Sequence, residues 1–134
     1  MIRTLLKGGV LLALVAGFLG SVSFHPPKRG DHARIALARA QAEAFMTALM
    51  IYHSDTGTFP HTEQGLAALR AKPADVESWN GPYISREVPL DPWGNGYVYN
   101  FPGPNPNEPG ILSLGADGLP GGEGINSDIV SWKN

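Results

Sequence analysis

Residues 31–54 read DHARIALARAQAEAFMTALMIYHS, and this stretch decides the architecture. It holds neither Gly nor Pro and is rich in Ala, Leu, Met, Gln, Glu and Arg. Ala avoids side-chain ordering and the straight-chain types lose little freedom in a helix. Ala38, Ala42, Phe45, Leu49 and Tyr52 recur at spacings of four and three, which puts them on one helical face. Leu37, Ala44, Ala48 and Ile51 run alongside, and His32, Arg39, Glu43 and Thr47 take the opposite face. An apolar face this broad must pack on something. Asp55-Thr56-Gly57 ends the helix, with the glycine free to form a left-handed cap.

Downstream the pattern breaks into short pieces. Residues 62–71 read as a short second helix, with Thr62 as N-cap, Glu63 in the first turn and Pro73 as the stop. Residues 74–90 and 101–110 read as loops, and residues 91–96 as a turn. Residues 97–99, 111–114 and 129–132 read as strands. The expected class is α+β: a long helix packed on a small antiparallel sheet.

The rest of the chain adds constraints. Its 134 residues suit one domain plus a leader or anchor. The absence of cysteine excludes disulfides, thiolate metal sites and thiol nucleophiles. Residues 1–30 carry Arg3, Lys7, Lys28 and Arg29 and no acid, whereas residues 31–134 hold 6 basic and 12 acidic side chains. An acidic domain is poorly suited to nucleic acid and well suited to cations. Arg3 and Lys7 precede the uncharged run 8–24, the pattern of an export signal or a membrane anchor. As a helix that run would span roughly 25 Å at about 1.5 Å per residue. Adding residues 2–6 would bring it to bilayer thickness. The expected organisation is therefore a signal or anchor at 1–24, a linker at 25–30 and a globular domain at 31–134, outside the cytoplasm.

One segment carries chemistry. Residues 115–128 read GADGLPGGEGINSD, with Asp117 and Asp128 bracketing glycines and no basic residue between them. Calcium takes six to eight oxygens from carboxylates, carbonyls and water, and this loop can supply them. It is not an EF-hand, since the closing bidentate Glu is missing and strands flank it. A solvated glycine loop fits the same residues. Phosphate binding does not, because the acids would repel it and no helix follows. The four histidines show no metal-ligand spacing. Ser113 and Ser131 lack a nucleophile-elbow context. Trp79, Trp93 and Trp132 read as packing residues. Nothing here suggests an enzyme or a small-molecule substrate.

Several ordered pieces resemble one family. They are Tyr52-His53-Ser54-Asp55-Thr56-Gly57-Thr58-Phe59-Pro60, Thr62-Glu63-Gln64-Gly65-Leu66 and Trp79-Asn80-Gly81-Pro82-Tyr83. Pro89-Leu90-Asp91-Pro92-Trp93-Gly94-Asn95, Ser113-Leu114-Gly115-Ala116-Asp117-Gly118, Gly121-Gly122-Glu123-Gly124 and Asp128-Ile129-Val130-Ser131-Trp132 complete the set. Over residues 31–134 the chain resembles the major (G-type) pseudopilins of type II secretion. The resemblance implies a pilin-like fold and a non-catalytic subunit of a periplasmic pseudopilus. Its partners would be other pseudopilin subunits and inner-membrane secretion components. It also implies one structural calcium ion in the loop before the last strand. Asp117 and Asp128 would bind through side chains, and Leu114, Ser113 and Ile125 are the candidate carbonyls. Ser127 stands where the family often has an acid, so Asn126 or water would complete the set. The N-terminus departs from the family: Gly17-Phe18 is the only Gly-Phe pair, and Val22 stands where a Glu is expected. Prepilin processing is therefore not expected. The alternative is a tethered or periplasmic calcium-binding module of the same fold that does not assemble.

Overall fold

Helix α1 (Arg29–Thr56) begins two residues before the expected start. The cause is Asp31, whose carboxylate accepts the Lys28 backbone N–H at 2.9 Å and so closes the first turn. At the other end Gly57, at φ 80°, donates its N–H to the His53 carbonyl, the left-handed cap expected there. The computed structural model describes Pro26 and residues 28–132, so the signal or anchor expected at 1–24 lies outside the described residues. Among the described residues no helix is long and apolar enough to cross a membrane.

The helix packs on a three-stranded antiparallel sheet: β1 (Val98–Asn100), β2 (Gly110–Ser113) and β3 (Ile129–Val130), in that order. Ala38, Ala42, Phe45, Leu49 and Tyr52 are buried, as their spacing predicts, and Tyr99, Ile111 and Ile129 meet the core from the sheet. The α+β reading holds. The apolar face is narrower than expected, however. Leu37 and Ile51 are each 51% exposed and Met50 is 55% exposed. The sheet is small and covers one side of the helix, and these residues lie on the uncovered flank.

The strand limits shift for identifiable reasons. Tyr97 leaves the first strand because its side chain joins the helix. Its hydroxyl bonds the Gln41 side chain, and its ring meets Phe45 edge-on at 5.1 Å. Leu114 falls outside β2 because Gly115 turns the chain at φ 74°. The last strand is two residues instead of four. Ser131 still pairs with Ile111: its N–H donates to the Ile111 carbonyl at 2.9 Å and its hydroxyl accepts the Ile111 N–H at 3.1 Å.

The second helix expected at 62–71 does not form; only Leu66–Leu69 make a 3-10 turn. Gly65 sits at φ 62°, outside helical conformation. Thr62 does not cap a helix either. Its hydroxyl donates to the Phe101 carbonyl at 3.1 Å and accepts the Phe101 N–H at 3.0 Å, a long-range tie that no local pattern reveals. Leu66 and Leu69 are nonetheless buried. Trp79 is a packing residue, as expected. Its indole N–H donates to the Ala68 carbonyl at 2.7 Å, and its ring meets Tyr83 edge-on.

Candidate metal centre

The loop between β2 and β3 is folded on itself. A Cβ on Gly115 would lie 2.8 Å from the Ser127 carbonyl oxygen and 2.9 Å from that of Ile125. A Cβ on Gly122 would collide with the Asn126 carbonyl oxygen. Both glycines also have left-handed φ values, 74° and 89°, which side chains rarely adopt. The glycines thus let the carbonyls of residues 125–127 close against residues 115 and 122.

The two aspartates have different surroundings. Asp117 is exposed, and its Oδ1 accepts the Leu119 N–H at 3.1 Å. Asp128 accepts the Gly121 N–H through Oδ2 at 3.1 Å. Its other oxygen, Oδ1, is buried and has no hydrogen-bond partner. Among the described residues neither aspartate forms an ion pair. An unpaired carboxylate oxygen shielded from water is costly, and a cation would satisfy it.

The carbonyl candidates divide similarly. Ile125 already accepts the Ala116 N–H at 2.8 Å, leaving its second lone pair. Ser113 is fully buried; its hydroxyl donates to Asp91 at 2.7 Å and accepts the Gly115 N–H at 3.2 Å. Leu114 is half-buried at the loop entrance, and Asn126 donates its N–H to the Glu123 carbonyl at 3.1 Å. No hydrogen bond links Asp117 to Asp128. Among the described residues no three His, Cys, Asp or Glu side chains gather as a metal cluster. A cation here would draw on backbone carbonyls and water as well as carboxylates, which is calcium's manner of binding.

Asp91 is the residue that local sequence reasoning missed. It is 4% exposed, accepts the Trp93 and Asn95 N–H groups at 3.0 and 2.8 Å through Oδ1, and holds Ser113 through Oδ2. Asp before Pro-Trp-Gly-Asn reads as a turn former, and the first two bonds are that turn. The third crosses 22 positions of sequence.

Residues 27–132 match the family described as "Type II secretion system (T2SS), protein G". The chain belongs to that family. Among protein G relatives, the "Type II secretion system core protein G" of Pseudomonas aeruginosa is 38% identical over 130 residues. That alignment covers 94% of this chain and 85% of the relative. The protein of the same name from Vibrio cholerae is 38% identical over 127 residues, 92% and 84% of the two chains. A solved protein of the same fold is the major pseudopilin from the type 2 secretion system of enterohaemorrhagic Escherichia coli. It superposes with a TM-score of 0.63 at 36% identity, covering 77% of this chain and 90% of that one. The resemblance read from residues 31–134 and the pilin-like fold are both borne out.

Proposed function

We propose that this chain is a repeating, non-catalytic subunit of a periplasmic pseudopilus in type II secretion, and that one calcium ion stabilises its folded domain. The observation that carries the first part is the family match across 106 consecutive positions, residues 27–132, joined to the solved major pseudopilin of the same fold. The helix supports it. Ala33, Leu37, Ala40, Ala44 and Ile51 are all exposed and recur at helical spacing, so one flank of α1 is apolar and is covered by nothing among the described residues. Copies of the chain packed side by side would cover that flank. Its partners are then other copies of itself and the inner-membrane components that build the filament. Residues 1–24 hold the chain at the membrane or direct its export.

The calcium part rests on the buried, unpartnered Oδ1 of Asp128. Asp117 and Asp128 would supply side-chain oxygens, and Leu114, Ser113 and Ile125 carbonyls, with Asn126 or water completing the set. The ion would join the two ends of the loop, adding to the few hydrogen bonds that already tie it.

Cross-linking in the cells that make the protein tests the assembly. A photo-reactive residue at position 51, on the exposed flank, is expected to give a ladder of multiples of the chain. The same group at Arg39, exposed and roughly 120° around the helix from position 51, serves as control. Cross-linking to no further copy from either position would support the monomeric, tethered calcium-binding module instead.

A further inference from the structure

We infer that Asp91 is a positioning residue for the calcium site: through Ser113 it sets the direction of the Leu114 carbonyl. This inference rests on the calcium reading above. Asp91 is buried and makes no ion pair among the described residues. Three donors stabilise it instead: the Trp93 and Asn95 N–H groups and the Ser113 hydroxyl. Only a carboxylate presents two acceptor oxygens for such a set, since an amide has one.

The consequence passes to the loop. With its proton directed at Asp91 Oδ2, 2.7 Å away, the Ser113 oxygen faces the Gly115 N–H as an acceptor at 3.2 Å. The only cis peptide bonds are Gly81-Pro82 and Phe101-Pro102 among the described residues, so Leu114–Gly115 is trans. A trans peptide is planar, and its C=O points opposite to its N–H. Fixing the Gly115 N–H toward Ser113 therefore turns the Leu114 carbonyl away from Ser113. The next peptide is held as well: the Asn95 side-chain amide donates to the Gly115 carbonyl at 3.4 Å, and Ala116 donates to Ile125 at 2.8 Å. The turn at 91–95 thus grips two successive peptides at the loop entrance. It leaves the Leu114 oxygen oriented before any ion arrives.

Outer partners that orient metal ligands typically change affinity by about 10–100-fold when removed. The test is calcium titration, by calorimetry, of the full-length chain in mild detergent, with melting in chelator as the structural control. Ser113→Ala is expected to weaken calcium binding roughly tenfold or more. Asp91→Asn should do the same, and the double variant should bind no worse than the weaker single, because both act through one relay. Asp117→Ala should abolish binding. If Ser113→Ala binds calcium like the parent, the relay is wrong even if its melting temperature falls. The ion reading then survives, provided that the parent binds and Asp117→Ala does not. If the parent binds no calcium, both readings fall together. Ser113→Ala removes a single oxygen and decides the question if Asp91→Asn does not fold.

Discussion

Asp128 carries two oxygens with opposite surroundings. Oδ2 has the Gly121 N–H, whereas Oδ1 is buried with nothing to receive. Leaving a buried acceptor unpaired costs about 1–3 kcal/mol, more for a charged group. A bound cation removes that penalty and adds attraction, so the same carboxylate is unfavourable without the ion and favourable with it. Asp128→Asn separates the two cases. The amide oxygen can keep the Gly121 contact while the charge is lost. In chelator the variant is expected to match the parent within about 0.5 kcal/mol or to exceed it. In calcium it should fall below the parent, having lost the ion. Thermal melting under both conditions reads this directly. A loss of more than about 1 kcal/mol in chelator would show that the charge serves the loop's own fold.

Helix α1 has one covered and one uncovered flank, and substitutions on them should behave differently. Leu49 is fully buried against the sheet, so Leu49→Ala should destabilise the domain by about 2–5 kcal/mol in denaturant unfolding. Ile51 is 51% exposed. Ile51→Lys should change stability by no more than about 0.5 kcal/mol, yet remove the cross-linked multiples expected in cells, because a charge would enter the apolar contact. Reading both flanks as a single apolar face was the natural result of periodicity, which reports apolarity but not what covers it. The helix and the three strands were readable because each is a local pattern. The helix at 62–71 misled because good helix formers outweighed Gly65, while the tie from Thr62 to Phe101 spans 39 positions. The candidate site divides the same way. Asp117 and Asp128 stand out as acids in a glycine loop without cations. Asp91 does not, because its bond to Ser113 exists only in the folded chain.

The sheet consists of strands of three, four and two residues, too little hydrogen-bonded structure to stand without the helix. Its last strand is attached through residues 115–128, so whatever orders that loop also holds Ile129 in the core beneath α1. Loop order and global stability are therefore coupled. A ligand that binds only the folded state adds RT ln(1 + [L]/Kd), about 2.7 kcal/mol at a hundredfold excess over Kd. For a domain of about a hundred residues, that increment raises the melting temperature by roughly 10–20 °C. Magnesium should do much less, because it requires a tight octahedron and gives up water reluctantly, whereas calcium tolerates an irregular mix of carboxylates, carbonyls and water. The measurement is melting of the full-length chain in mild detergent with calcium, with magnesium and with chelator. Calcium alone is expected to shift the curve. Three coincident curves at several millimolar metal would mean that the glycine contacts hold the loop unaided. The secretion-family fold would then stand without the ion.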